Sequence, residues 1–194
     1  FIRGDKTTES SPYLFRHRTS LLGDIVNSNV LYTGKDDYGY AGINGYSTFL
    51  SGKQSKQNMV YVGANDGMLH AFRASTGVEA FAYIPSELVT KLRYLADSDY
   101  ASNHKYYVDG SPIAGDIKVD DDWKTLLVGT TGAGGKSVFG LNISDPKNFD
   151  ADDVLWELSP ANAASPNDLG YSIPKPSIAR TGSATWQVLI ANGY

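Results

Sequence analysis

The stretch Gly129-Thr130-Thr131-Gly132-Ala133-Gly134-Gly135-Lys136-Ser137 is glycine-rich, follows an apolar run and ends in Lys-Ser. That is the composition with which backbone N–H groups cradle a phosphate. The spacing fails. A phosphate loop ending at Lys136-Ser137 needs glycine at position 130, where this chain has Thr130, and needs a helix to follow. Val138 to Ile143 is strand-like instead, so the segment reads as a flexible hairpin.

The acidic groups give a second candidate chemistry. Asn148, Asp150 and Asp152 place oxygen-bearing side chains at alternate positions, as the start of an EF-type calcium loop does. Asp153 stands where that loop needs glycine and Ser159 where it needs glutamate, which leaves a surface cluster. Asp120-Asp121-Asp122 is contiguous between strand signals and reads as a solvated turn. His17, His70 and His104 are dispersed, and none has a second histidine four residues on; His70 alternates within a strand as a packing or hydrogen-bonding residue. No serine sits in a Gly-x-Ser-x-Gly elbow. The expectation is a chain with no catalytic residue and no metal ligand of its own.

Recognition is better supplied. Lys35 to Tyr46 reads Lys-Asp-Asp-Tyr-Gly-Tyr-Ala-Gly-Ile-Asn-Gly-Tyr, too irregular for a sheet and rich in the residues of recognition loops. It is expected to be a long exposed loop with Tyr38, Tyr40 and Tyr46 as binding anchors. Arg3-Gly4-Asp5, in a polar lead-in spanning residues 1–21, is the tripeptide that integrin-type receptors read, although three residues also recur by chance.

The elements that would position these groups are strands. Met59 to Val62, Met68 to Phe72 and Val78 to Ile84 are apolar runs separated by Asn65-Asp66-Gly67 and Thr76-Gly77. Asp-Gly supplies the positive φ of a tight hairpin, so the stretch is a three-stranded meander; the first strand signal before it stands at Ile25 to Val26 or, more strongly, at Val30 to Tyr32. Ser111 to Ile117, Lys124 to Val128, Val138 to Ile143 and Val154 to Leu158 repeat the pattern. Trp123 to Gly129 and Trp186 to Gly193 match Asn58 to Gly63 at offsets of about 63 to 66 residues. Pro176 to Ala179 stands where Ser111 to Ala114 stood one unit earlier, and Gly23-Asp24-Ile25 echoes Gly115-Asp116-Ile117. Four-stranded repeats of this kind are β-propeller blades.

The fold class is therefore all-β: a β-propeller of four-stranded antiparallel blades, present as an incomplete portion with one inserted helix. Ser86 to Leu95 is that helix, with Ser86 as cap, Leu88, Leu92 and Leu95 on one face, and a Glu87–Lys91 pair. The expected divisions are a lead-in over 1–21, a first blade over about 22–107 with the helical insertion, a second over about 108–160, and the start of a third over about 170–194. Two blades and part of a third cannot close a ring, so a longer protein is expected.

Composition narrows the classes further. Of 194 residues, 41% are hydrophobic, and Gly (20) and Tyr (13) are abundant, which suits turns and aromatic strands. The net charge is −4 with scattered basic residues, which argues against nucleic acid. No apolar run reaches a membrane-spanning length, and Phe1 to Asp5 is no signal peptide. The absence of cysteine excludes a thiol nucleophile, disulfides and cysteine zinc sites but is compatible with either redox compartment.

Leu22-Gly23-Asp24-Ile25-Val26-Asn27-Ser28, Tyr61 to Phe72, Tyr83-Ile84-Pro85, Val108-Asp109-Gly110, Gly132 to Gly135, Val154-Leu155-Trp156, Leu169-Gly170-Tyr171 and Asn192-Gly193-Tyr194 together resemble the successive motifs of the PilY/PilC family. Its members are tip-associated adhesins and biogenesis factors of bacterial type IV pili. The resemblance implies the first part of that family's C-terminal propeller, with a von Willebrand-like half and further blades outside this stretch. It implies a non-enzymatic module at the cell surface and pilus tip, associated with the outer membrane. Pilins, minor pilins and a host-cell receptor, integrin among them, are the implied partners; pilus biogenesis, retraction control, twitching motility, adhesion and virulence are the implied roles. Calcium is the implied cofactor, with its Asp-rich loop in later blades and no ligand here. The central meander is more loosely similar to blades of quinoprotein (PQQ) dehydrogenases, which supply the alternative from another class.

Overall fold

The computed structural model describes residues 1–9, 15–165 and 167–193. Tyr194, the last residue of the Asn192-Gly193-Tyr194 motif, lies outside them, as do residues 10–14 of the lead-in. Among the described residues, ten strands form two four-stranded sheets and one pair.

The first sheet is a meander of β1 (Leu31–Thr33), β2 (Met59–Gly63), β3 (Leu69–Arg73) and β4 (Glu79–Tyr83). The second repeats it with β5 (Ile113–Val119), β6 (Asp122–Thr130), β7 (Val138–Asn142) and β8 (Val154–Leu158). β9 (Ser177–Arg180) and β10 (Trp186–Leu189) pair antiparallel and open the same pattern again. All pairings are antiparallel, and the turns are where the glycines are needed. Gly67 closes the β2–β3 hairpin at φ +98°, where a side chain would also run into Leu92, and Gly77 closes β3–β4 at φ +70°.

The sequence repeat is a structural repeat. Met59, Trp123 and Trp186 each fall in the second strand of a sheet. The pairing register slips between Ala71 and Phe72 in one sheet and between Gly140 and Leu141 in the other, the same place between third and fourth strands. Gly23-Asp24-Ile25 departs from it. Gly115-Asp116-Ile117 lies inside β5, whereas residues 23–25 precede β1 as exposed chain and form no strand.

The sheets stack face to face because each is apolar on the side its neighbour covers. Met59, Tyr61, Leu69 and Ala71 of the first pack with Leu127, Phe139 and Leu141 of the second, all essentially sealed from solvent. On the other face of the second sheet, Ile117, Leu126, Val128 and Val138 meet Ile178, Trp186 and Val188. The first strands β1, β5 and β9 are the neighbours across sheets, as blades set around a common axis require.

Among the described residues, two helical segments of eight residues or more flank the sheets, where one was expected. The segment at Ser86–Ala96 is present as a 3-10 helix with Leu88 and Leu95 buried. Pro85 and not Ser86 stands at its cap; the Ser86 hydroxyl and N–H both donate to Glu157, at 2.8 and 2.7 Å. The second, α1 (Tyr46–Lys53), lies where the loop reading ends and carries no apolar stripe.

Candidate functional site

The best-built polar cluster joins α1 to the second sheet. Lys53 Nζ donates to both oxygens of Asp116 at 2.9 Å and to the Asp36 carbonyl at 2.9 Å. Thr125 Oγ1 donates to Asp116 at 2.8 Å, and Tyr46 Oη donates to it at 3.0 Å. Tyr46 Oη in turn accepts from the Tyr38 N–H at 2.8 Å. Both charges are buried, and the carboxylate has four donor contacts, which is what such a pair needs to be tolerated.

This network corrects the exposed-loop expectation at Tyr46. Its ring is fully buried and is the first residue of α1, so it supports the loop from below and is closed to any partner. Burial, first of all, pushes its hydroxyl well above the usual phenol value. Tyr38 and Tyr40 are half-buried. Tyr38 lies with its ring 5.0 Å from Lys53 Nζ, and burial followed by the charges of Asp36 and Asp116 pushes its hydroxyl up to about 12. Tyr40 stacks on Trp123 at 5.7 Å and meets Trp186 edge-on at 4.9 Å. The Trp123 indole N–H is fixed on the Asn44 carbonyl at 3.0 Å. Tyr38 and Tyr40 line an open groove of about 500 Å³ together with Ala114, Gly115, Ile178 and Lys175.

Arg3-Gly4-Asp5 sits apart from that groove. Gly4 takes φ +85° and its N–H closes a turn on the Phe1 carbonyl at 2.9 Å, leaving Arg3 and Asp5 exposed. The Thr7 N–H on Asp5 Oδ1, at 2.8 Å, holds the carboxyl below its ordinary value. The tripeptide and the tyrosines are therefore separate surfaces.

The other motifs have structural occupations. In the glycine-rich hairpin, Gly132–Gly134 is a 3-10 turn leading into β7, and the Lys136 N–H donates to the Glu87 carboxylate at 3.0 Å, where a phosphate loop would face its ligand. Asp150 and Asp153 form a reciprocal helix cap around Ala151–Asp153, so these carboxylates do not fit a calcium loop. Among the described residues no group of three or more His, Asp and Glu side chains is arranged to hold a metal ion. Nor is any described helix long and apolar enough to cross a membrane. Asp120 and Asp121 form the β5–β6 turn.

Among the partnerships the sequence reading missed are Lys53 with Asp116, 63 residues apart, and His70 with both Asp66 and Glu79. Only the Gly-Asp-Ile echo singled out Asp116 beforehand, and nothing local marked Lys53.

Comparison with known proteins agrees with this architecture. The family model described as the PilY1 beta-propeller domain matches residues 22–194. The type IV pilus biogenesis factor PilY1 of Pseudomonas aeruginosa (strain PAK) is 42% identical over 201 residues, spanning 100% of this chain and 17% of that protein. A PilY1 homolog of Xylella fastidiosa (strain Temecula1 / ATCC 700964) is 41% identical, over 100% of this chain and 16% of its own length. The crystal structure of the Pseudomonas aeruginosa PilY1 C-terminal domain superposes with a TM-score of 0.61 at 42% identity, covering 77% of this chain and 27% of that one. The chain thus spans a minor part of the relatives it matches, and it belongs to the PilY1 β-propeller family.

Proposed function

We propose that these residues form a non-enzymatic recognition part of a type IV pilus biogenesis factor, working at the cell surface and pilus tip in association with the outer membrane. Its partners on this reading are pilins or minor pilins on the bacterial side and a host-cell receptor on the other. Biogenesis, retraction control, twitching and adhesion would be the processes served, with calcium held by loops outside these residues. The family relationship supports a pilus factor over the quinoprotein dehydrogenase that the central meander also resembles.

The observation that carries the recognition reading is the rigid mounting of Tyr38 and Tyr40. Buried Tyr46 and Lys53 fix the backbone at Tyr38 and Asp36, and Trp123 and Trp186 fix the Tyr40 ring, so two half-buried aromatics are held in the wall of a groove without being consumed by the core. Aromatic groups that are pre-positioned lose little conformational entropy on binding. The Arg3-Gly4-Asp5 turn supplies a second, integrin-type contact on a different surface.

Binding of the purified protein to host cells and to isolated pilins separates these contacts. Tyr38→Ser with Tyr40→Ser is expected to reduce binding while leaving the fold intact, and unchanged binding by the folded double variant overturns the groove. Asp5→Glu keeps the charge but lengthens the side chain; if it binds host cells as the parent does, the tripeptide is a coincidence.

A further inference from the structure

The face of the first sheet turned away from the second carries a cluster that neither the core nor the tyrosine groove uses. His70, on β3, is nearly buried, and each of its ring nitrogens faces a carboxylate. Nδ1 lies 2.5 Å from Glu79 Oε1 on β4; Nε2 lies 3.0 and 3.1 Å from the two oxygens of Asp66 in the β2–β3 turn. Asp66 reaches further: its Oδ2 accepts the N–H of Gly23, just after the lead-in, at 2.8 Å. Leu21, two residues before, lies 3.5 Å from where a side chain at Gly4 would begin, so the same stretch backs the Arg3-Gly4-Asp5 turn.

A neutral imidazole has one N–H and one lone pair. Set between two carboxylates, it can satisfy only one and must present its lone pair to the other. The imidazolium donates to both. Around the ring, Phe72 stacks at 5.7 Å and the cross-strand neighbours are Val62 and Ala82; the adjoining cleft is also lined by the cation Arg3 and by Tyr83, whose hydroxyl donates to Glu157. That cleft, about 560 Å³, is otherwise walled by Leu21, Leu22, Met68 and Ile84.

We propose that His70 is a pH-sensitive brace, which as imidazolium ties β4 to the β2–β3 turn and through Asp66 holds Gly23, and with it the Leu21–Gly23 stretch that backs the Arg3-Gly4-Asp5 turn, against the first sheet, and which loosens that stretch when it loses its proton. The direction of titration agrees with the geometry. Burial opposes the charged ring, but hydrogen bonding and charge from Asp66, then from Glu79, outweigh it and raise His70 above its ordinary value. A histidine raised in the folded state contributes stability that is fully present below its unfolded value, about 6.5, and lost as pH rises through the higher folded value. The brace therefore holds in mildly acidic surroundings and loosens toward alkaline ones. It is independent of whether the Tyr38–Tyr40 groove binds anything.

Hydrogen–deuterium exchange of the purified protein, with rates corrected for their intrinsic pH dependence, tests this between about pH 5.5 and about pH 9. Peptides covering residues 19–26 are expected to lose protection in one step as pH rises, while those covering β6 and β7 do not. His70→Gln abolishes the step. Glu79→Gln, at a half-exposed side chain and so safe for folding, keeps the step but moves it to lower pH. A flat profile for residues 19–26 in the parent protein overturns the proposal, as does a step unchanged in His70→Gln or unmoved in Glu79→Gln.

Discussion

Tyr46 Oη donates to Asp116 Oδ2 across 3.0 Å, although the two residues lie 70 apart in the chain. The bond makes α1 part of the second sheet, and with Lys53 it neutralises a carboxylate that has no solvent exposure. Removing its parts should cost unequal amounts. Tyr46→Phe deletes one donor to Asp116 and the acceptor of the Tyr38 N–H, an expected loss of about 1–3 kcal/mol. Lys53→Met leaves the buried carboxylate without its counter-charge, an expected loss of about 3–5 kcal/mol. Urea unfolding of the two variants checks the order. Equal stabilities would mean that Asp116 does not depend on Lys53 for its charge.

The glycine-rich hairpin should respond at its glycines and not at its lysine. A Cβ at Gly134 would collide with the Tyr107 carbonyl oxygen, which is backbone and cannot turn aside. Gly134→Ala is expected to lower stability by about 1–3 kcal/mol. Lys136 offers its backbone N–H to Glu87 and its side chain to the Tyr171 ring at 5.5 Å, so Lys136→Ala should cost at most about 1 kcal/mol. Addition of inorganic phosphate or ATP should leave the unfolding midpoint of the parent protein unmoved. A phosphate-dependent rise lost in Lys136→Ala would restore the nucleotide reading.

These contrasts show which features the sequence could reveal. Asn65-Asp66-Gly67 and Thr76-Gly77 marked hairpins because glycine is needed there for backbone reasons, and the alternating runs around them gave the strands to within a few residues. Leu88 and Leu95 marked the Ser86–Ala96 segment for the same local reason. α1 was not legible. Gly45, in left-handed conformation, makes no side-chain cap, and the helix is held by Tyr46 and Lys53 reaching Asp116. Tyr46 misled for a related reason: aromatic residues among glycines suit a binding surface and an anchor beneath it alike, and only the fold distinguishes them. His70 was legible as a hydrogen-bonding strand residue, but not its two partners, since Glu79 comes into reach only when β4 folds back on β3.

Asp109 is a second buried carboxylate whose removal has a local signature. It accepts from the Asn27 N–H at 3.1 Å and from Asn27 Nδ2 at 2.7 Å, tying the chain before β1 to the chain before β5. Asp109→Ala should cost about 1.5–3 kcal/mol, the range of hydrogen bonds to a charged group. Amide exchange should quicken first over residues 25–30. Asp109→Asn keeps one acceptor and should recover part of the protection, and quickening confined to other segments would show that this tie is not what holds them.

The β5–β6 turn offers the opposite case, a substitution expected to stabilise. Val119 pairs with Asp122, leaving Asp120 and Asp121 as a two-residue loop with φ of +50° and +66°. Both angles lie in the left-handed region that a hairpin of this length requires, and aspartate tolerates it less well than asparagine or glycine. The ion pair at this corner does not offset that strain: Asp121 is 98% exposed and reaches Lys118 at 2.9 Å, a solvated contact of little net worth. Asp120→Asn with Asp121→Gly should therefore raise stability by about 1 kcal/mol. Asp121→Val serves as the control, because a β-branched side chain is disfavoured at positive φ, and it should lower stability instead. Urea midpoints of the three proteins give the order Asn-Gly, parent, Val. If the glycine and valine variants unfold at the same urea concentration, the left-handed backbone is not what limits this turn.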